Sequence, residues 1–253
     1  MGKDVMKVLA FNASPRMKRS NTGLILNPFL QGMEEAGAQV ELIYVKKLRI
    51  NPCQGCFICW LKTPGVCFQH DDMQMLHPKL READVWVFAT PVYVDGPVGP
   101  LKNLVDRLIP LILPYFELRE GHCRHVVPPG YNHGKVVLVA NSGFWEKDNF
   151  DPLVMWMRAV CKNVAREFAG ALLRPHGEAM RPLMKRGASL DDVFEAARDA
   201  GRQLVRQGAM ARETLDAVAR VLLPLDTYVE QLNRSFARTL EQTKMQSTEE
   251  EPA

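Results

Sequence analysis

Short apolar runs rich in β-branched residues alternate along the chain with longer segments of helical periodicity. The runs that predict β-strands are 5–11, 39–44, 84–89, 135–140 and 168–173. The segments that predict helices between them are 22–36, 71–82, 100–113 and 152–166. Strands and helices that alternate at this spacing predict a doubly wound α/β fold, in which helices cover both faces of a five-stranded parallel sheet.

The chain changes character after the fifth predicted strand. Segment 189–207 is helical and rich in Ala and Arg, and from Leu215 onward apolar residues recur at spacings of three and four. Pro224 should kink or divide that second helix. The apolar stripe fits packing on its own domain and also fits an oligomer interface. The predicted divisions are a domain over 1–187 with a cysteine-rich loop at 50–70, a C-terminal helical extension over 188–245, and a disordered tail over 246–253.

Composition narrows the class of protein. The 253 residues are 47% hydrophobic with a net charge of +3, which excludes disorder for most of the chain. The small positive charge does not indicate a nucleic-acid-binding surface. No apolar stretch approaches the ~20 residues of a membrane helix, and the N-terminus has no signal-peptide pattern. We therefore expect a cytoplasmic protein without a nucleic-acid or membrane partner.

The loop after the first strand is polar and leads into a helix. A helix N-terminus attracts anions, and hydroxyl, amide and guanidinium donors suit a terminal phosphate ester. Neither glycine-rich nucleotide motif is present, so a dinucleotide fingerprint or a nucleotide-hydrolysing loop is disfavoured. An ordinary polar turn that caps the helix fits the pattern equally well. The candidate residues are Ser14, Arg16, Ser20, Asn21 and Thr22.

Two further loops follow strands at the same predicted sheet edge. Segment 90–100 contains three prolines and two glycines, so its irregular backbone can present N–H and C=O groups to a flat polar ring. Tyr93 adds aromatic surface there. Segment 141–146 contains Gly143, which permits close backbone approach, beside two aromatic residues that fit either a ring site or the core.

The six cysteines give the most specific chemical signal. Four of them crowd into fifteen residues as C-x2-C-x2-C-x7-C, and soft thiolates of this kind select zinc or an iron–sulfur cluster. The spacing is closer to ferredoxin-type [4Fe–4S] ligation than to the paired motifs of zinc sites. A thiol loop that binds no metal is the third alternative. The four residues are Cys53, Cys56, Cys59 and Cys67.

Three segments together resemble a known family. The first loop is similar to that of the flavodoxin-like, NAD(P)H-dependent FMN reductases at Asn12, Ser14, Pro15, Arg16, Ser20, Asn21 and Thr22. The segment Pro91, Tyr93, Leu101-Lys102 and Asp106-Arg107 resembles their isoalloxazine-binding loop. The four cysteines, followed by Asp71-Asp72-Met73, resemble the iron–sulfur flavoprotein group of that family. The resemblance covers residues 5–175.

The resemblance implies a fold, two cofactors and their ligands. The fold is a flavodoxin-like sheet of strand order 2-1-3-4-5. The first loop would hold the FMN phosphate, and the flavin ring would lie against the loops after the third and fourth strands. The implied ring contacts are Pro91, Val92, Tyr93, Val94, Asp95, Gly96, Ser142, Gly143 and Phe144. The four cysteines would bind a [4Fe–4S] cluster.

The expected function is that of an FMN-dependent oxidoreductase that passes electrons between FMN and the cluster. Its partner would be a small molecule, with NAD(P)H as a co-substrate, or a ferredoxin-type electron carrier. No catalytic side chain is assigned, because the cofactor performs the transfer. A cluster-free NAD(P)H-dependent FMN or quinone reductase and a redox-sensing or electron-carrier flavoprotein are the alternatives. We expect a homodimer or homotetramer.

Overall fold

The computed structural model describes residues 5–249, with side chains described as far as residue 243. The strands are β1 (Lys7–Asn12), β2 (Gln39–Tyr44), β3 (Val85–Tyr93), β4 (Gly96–Pro97), β5 (Phe116–Arg119), β6 (His122–His125), β7 (Lys135–Asn141) and β8 (Glu167–Arg174). The helices are α1 (Asn21–Glu35), α2 (Ile58–Leu61), α3 (Met73–Glu82), α4 (Gly99–Asp106), α5 (Asp151–Asn163), α6 (Met180–Lys185), α7 (Asp191–Gln207), α8 (Arg212–Val218) and α9 (Leu225–Glu249).

The main sheet is parallel and has the order β2-β1-β3-β7-β8. This is the predicted flavodoxin-like order 2-1-3-4-5, which the structure confirms. Helices cover both faces, so β3 and β7 are buried almost throughout and read as continuous apolar runs. The chain leaves β1 toward β2 and returns on the other side as β3. The carboxyl ends of β1 and β3 therefore form the point where strand order reverses, which is where such folds bind ligands.

The segment between α4 and β7 departs from the prediction. The helix predicted over 100–113 ends at Asp106, and a 3-10 turn follows at Ile109–Leu111. Pro110 accounts for the early end, because it has no N–H to continue the helical hydrogen bonds. β5 and β6 then form an antiparallel hairpin that the sequence pattern did not predict.

Helix α7 packs closely on α1. A Cβ atom on Gly32 would lie 1.9 Å from the carbonyl oxygen of Arg198, and one on Gly201 would lie 2.1 Å from that of Phe29. The two glycines therefore permit a backbone-to-backbone approach that no other residue allows. Since α7 shares its core with α1 and the central strands, the packing joins it to the sheet domain. The domain division predicted at residue 187 stays a prediction.

Helix α8 still contributes Val218 to that core, and α9 follows it. Pro224 lies between α8 and α9, so it divides the two helices as the sequence predicted. Helix α9 continues to Glu249, past residue 246 where a disordered tail was predicted, because no glycine or proline interrupts it. Residues 250–253 of that tail lie outside the described residues. Within 5–249, none of the helices has the length and apolar character needed to cross a membrane.

Candidate functional site

A cavity of about 630 Å³ opens where β1, β3 and β7 end. Three loops at the carboxyl edge of the sheet form most of its wall, and helix α9 contributes the rest. The lining residues are Ser14, Arg16, Asn21, Thr22, Pro91, Val92, Tyr93, Val94, Asp95, Asn141, Ser142, Gly143, Phe144, Glu178, Leu232 and Phe236. A site of this volume is large enough for a cofactor-sized ligand.

The cavity brings together all but two of the residues singled out for the flavin site. Ser20 does not line it, because its side chain is turned to the cap of α1. Gly96 does not line it either, and pairs with Tyr93 in the turn between β3 and β4. The four lining residues that the sequence analysis did not assign to the site are Asn141, Glu178, Leu232 and Phe236. Asn141 is the last residue of β7, at the edge of the sheet where such folds bind ligands. A polar residue at that place in the sequence is a signal that could have identified it.

The first loop is organised around the N-terminus of α1. The side-chain oxygen of Asn12 accepts a hydrogen bond from the backbone N–H of Ser14 at 3.0 Å. Ser20 caps the helix, and its hydroxyl accepts from the N–H of Gly23 at 2.9 Å. Asn21 and Thr22, in the first turn, line the cavity, where helix N–H groups have no acceptors within the helix. This end of the cavity is therefore suited to an anion.

Two arginines act differently on this loop. Arg16 faces the cavity and forms an exposed ion pair with Glu178 at 3.5 Å, a contact weak enough to leave its guanidinium available to a ligand. Arg181 instead fixes the loop, since its Nε donates to the side-chain oxygen of Asn21 at 3.1 Å and its Nη2 to the carbonyl of Arg19 at 2.8 Å. Arg181 is 160 residues from Asn21 in sequence, and no pattern near it predicts a role at this loop.

The other end of the cavity is apolar and carries unusual backbone. Tyr93 and Phe144 are 51% and 65% exposed, so aromatic surface lies open at the mouth. Val94 and Asp95 have φ values of 47° and 59°, and a β-branched residue is a marked outlier in this region. Such backbone strain concentrates at ligand sites. The hydroxyl of Thr22 donates to the side-chain oxygen of Asn141, which ties the first turn of α1 to the end of β7.

The segment around α8 and α9 is anchored beside this cavity. The indole N–H of Trp145 donates to the carbonyl of Leu223 at 2.8 Å, and the hydroxyl of Tyr228 donates to the carbonyl of Gly143. Fully buried Arg174 donates through Nη1 to the carbonyl of Val218 at 2.7 Å. These bonds hold the C-terminal segment against the loop after β7.

Fully buried His176 makes this anchoring sensitive to acid. Its Nε2 accepts a hydrogen bond from the N–H of Leu222 at 2.9 Å, which requires that nitrogen to be unprotonated. Burial and the nearby Arg174 guanidinium lower the pKa of His176 to about 4. The other groups that face it, Trp145 and Tyr228, are aromatic and uncharged at neutral pH.

We expect acid to destabilise the fold through His176. Below its unfolded pKa of about 6.5 the unfolded chain binds a proton that the folded chain does not, so the free energy of unfolding falls by about 2 kcal/mol from pH 7 to pH 5. The loss is complete below the folded pKa of about 4. Chemical denaturation at both pH values measures it. In His176→Gln, which keeps an acceptor, this part of the pH dependence should vanish, and equal losses in the two proteins would refute the assignment.

Of the four clustered cysteines, Cys53 and Cys56 lie in the irregular segment before α2, Cys59 lies within α2, and Cys67 lies in the loop after it. Cys56 is exposed, Cys53 and Cys67 are half-buried, and Cys59 is buried. Burial, followed by the nearby thiol of Cys67, raises the pKa of Cys59 to about 11. Within the described part of the chain, no three Cys, His, Asp or Glu side chains converge as ligands of a metal ion.

A buried ion pair holds this loop to the domain. The Arg107 guanidinium bonds Asp71 at 2.7 Å, and both side chains are essentially inaccessible to solvent. The same guanidinium donates to the carbonyl of Asn51 at 2.7 Å and lies 3.4 Å from the sulfur of Cys67. Although burial raises the pKa of Asp71, hydrogen bonds from Arg107, Asn51 and the Met73 N–H lower it overall. The carboxylate is therefore charged and depends on Arg107.

Trp60 provides a second attachment for the loop. Its indole N–H donates to the carbonyl of Ile112 at 2.8 Å, and its ring stacks on Phe57 with centroids 5.1 Å apart. The ring also contacts His125 of β6 at 4.7 Å. The unpredicted β5–β6 hairpin thus packs against the cysteine segment.

The sheet order and the position of the cavity define a flavodoxin-like α/β protein with a ligand site at the carboxyl ends of its strands. The model of a protein family described as NADPH-dependent FMN reductase matches residues 6–143. The match covers more than half of the chain, and the chain belongs to this family.

Individual relatives agree with that assignment. An iron-sulfur flavoprotein of Archaeoglobus fulgidus is 35% identical over 54% of this chain and 66% of its own length. One from Methanocaldococcus jannaschii is 38% identical over 45% of this chain and 57% of its own length. The chain thus spans about half to two-thirds of these relatives. A solved FMN-dependent NADH-azoreductase from Bacillus anthracis, in complex with FMN, shares the fold with a TM-score of 0.57 and 15% identity, covering 80% of this chain and all of that one.

Proposed function

We propose that the protein is an FMN-dependent oxidoreductase. The observation that carries the proposal is the cavity where strand order reverses. Its end at the start of α1 suits an anion, and its mouth offers aromatic side chains and backbone groups. FMN has the complementary form, with a phosphate at one end and a flat ring at the other. Membership of the FMN reductase family supports the same ligand.

The residues of the phosphate end fit a monophosphate. Ser14 and Thr22 place hydroxyl groups on the cavity wall beside the N-terminus of α1, and Arg16 supplies a positive charge there. In the proposal these three residues bind the phosphate, and the Thr22 hydroxyl gives up its bond to Asn141 to do so. Asn21 completes the site, and Arg181 holds it in place. Ser20 contributes as the cap of the helix rather than as a direct contact.

The residues of the ring end would orient the flavin. The segment Pro91–Asp95 and the loop Ser142–Phe144 offer backbone groups to the polar edge of a ring and aromatic surface to its faces. FMN supplies the hydride and electron transfer when bound, and the protein positions it and limits its contact with water. No acid or base side chain is required of this chain, and none is assigned.

Anaerobic reduction tests the proposed activity. FMN-loaded protein is mixed with NADPH, NADH or reduced ferredoxin, and the flavin absorbance is followed. We expect at least one donor to bleach the flavin and an added quinone to restore its colour. A flavin that none of the three reduces would overturn the proposed activity. The donor that works separates a nicotinamide-dependent reductase from a ferredoxin-linked protein.

We further propose that the cysteine segment binds a [4Fe–4S] cluster that exchanges electrons with FMN. Four thiols within fifteen residues form a soft ligand set whose spacing resembles ferredoxin-type ligation. The relatives named iron-sulfur flavoproteins support it as well. Bound iron would let the chain pass electrons singly to a carrier. The absence of a convergent ligand group among the described residues favours the second candidate, a cluster-free reductase.

A matched pair of cysteine variants tests the cluster. After anaerobic reconstitution we expect about four iron and four sulfide per chain in the unaltered protein. Cys56→Ser should lose most of both, whereas Cys123→Ser, which changes another exposed thiol outside the segment, should keep them. Iron and sulfide analysis with visible spectra provides the measurement. An iron-free protein with bound flavin would overturn the cluster and support the cluster-free reductase. One zinc ion per chain would show that the four cysteines form a structural zinc site instead.

The expected homodimer or homotetramer remains a proposal. The apolar residues Leu225, Val229 and Leu240 of α9 are each at least 40% exposed, which is compatible with an interface between copies. Light scattering of the full chain measures the oligomeric state.

A further inference from the structure

Helix α9 reaches the mouth of the cavity from outside the region that matches the family. Leu232 and Phe236 line the cavity together with the loops after β3 and β7, although they lie far beyond residue 143. Phe236 is 60% exposed, and it lines the same cavity as the exposed rings of Tyr93 and Phe144. An exposed cluster of large apolar side chains at a cavity mouth indicates a surface that a ligand covers.

Hydrogen bonds fix the position of this face of α9 against the cavity. Tyr228 is 5% exposed and donates its hydroxyl hydrogen bond to the carbonyl of Gly143, which itself lines the cavity. Tyr228, Leu232 and Phe236 follow one another at intervals of four residues, so they lie on the same face of the helix. Arg186 holds the neighbouring turn through a 2.9 Å bond to Gln231.

We propose that Leu232 and Phe236 form the outer wall of the cofactor pocket and act as positioning and specificity-determining residues. The inference rests on the proposed FMN function. In this arrangement the chain covers the bound flavin ring with its own C-terminal helix. A planar aromatic molecule that approaches the ring contacts Phe236, whereas a hydrated anion gains nothing from that apolar surface.

Phe236→Ala and Leu240→Ala are a matched pair that tests this wall. Leu240 lies one turn farther along α9 and is 62% exposed, close to the 60% of Phe236, but it does not line the cavity. Each protein is titrated with FMN, and iodide quenching of the bound flavin fluorescence is then measured. We expect Phe236→Ala to weaken FMN binding about fivefold, as the loss of part of a ring contact requires, and to raise the quenching constant.

Leu240→Ala should match the unaltered protein in both measurements, and Phe236→Leu should recover part of the affinity. The outcomes separate this inference from the function on which it rests. If the unaltered protein binds no FMN, both are overturned. If it binds FMN and the Phe236→Ala and Leu240→Ala proteins give equal affinity and quenching, the wall is refuted while the FMN site stands.

Discussion

Ser14→Asp is expected to weaken FMN binding about 100-fold relative to Ser14→Asn. Ser14 is buried, lines the cavity and lies in the loop before the N-terminus of α1. A carboxylate there would repel the phosphate of FMN at close range, which costs about 3 kcal/mol in a partly dry site. Asparagine has nearly the same size and no charge, so the comparison isolates the electrostatic effect. Fluorescence titration of the two proteins gives both dissociation constants.

Riboflavin, which lacks the phosphate, provides the control for this pair. The Asp and Asn proteins should bind riboflavin with similar, weak affinity, because the added charge has no phosphate to repel. Circular dichroism should show both variants to be folded. Equal FMN affinities in the two variants would place the phosphate elsewhere and remove the main support for assigning the first loop.

Arg107→Met should lower the free energy of unfolding by about 3–5 kcal/mol. The substitution leaves the Asp71 carboxylate buried without its cation, and the pair is essentially inaccessible to solvent. It also removes the bond to the carbonyl of Asn51 and the contact with the sulfur of Cys67. We therefore expect the cysteine segment to loosen before the sheet unfolds. Urea denaturation measures the first effect, and thiol accessibility to a labelling reagent measures the second.

Arg220→Met is the matched control, because it removes an arginine from an exposed pair with Asp192. Both of those side chains are more than one-third exposed, so the loss should be at most about 1 kcal/mol. Asp71→Asn combined with Arg107→Met should recover part of the stability, since no unpaired charge remains buried and the amide oxygen can still accept from a backbone N–H of Asn51 or Met73. An Arg107→Met protein as stable as the control would show that the buried pair does not hold the cysteine segment.

The features that could be predicted from the sequence are those encoded in contiguous stretches. The strands alternate with helices at regular spacing, and the continuous apolar runs of β3 and β7 reflect burial on both faces. The first loop is equally local, since Ser14, Asn21 and Thr22 lie within nine residues of one another and reach the same cavity wall.

The features that could not be predicted depend on contacts between distant segments. Arg181 lies 160 residues from Asn21, and nothing near either residue in sequence indicates their bond. In the sequence, Leu232 and Phe236 belong to an ordinary apolar stripe. Their place at the cavity depends on the bond of Tyr228 to Gly143, which holds that face of α9 toward the cavity. The β5–β6 hairpin was not predicted because each strand has only four residues and is largely exposed, and the alternation of Phe116 and Leu118 with charged residues is too short to indicate a strand.

A crystal structure of the protein grown with FMN tests the central claim most directly. We predict the phosphate within hydrogen-bonding distance, about 3 Å, of the Ser14 and Thr22 hydroxyls, and the ring against the segment Pro91–Asp95. Flavin bound away from the carboxyl edge of the sheet, or with its phosphate at the aromatic mouth instead of the start of α1, would contradict the assignment.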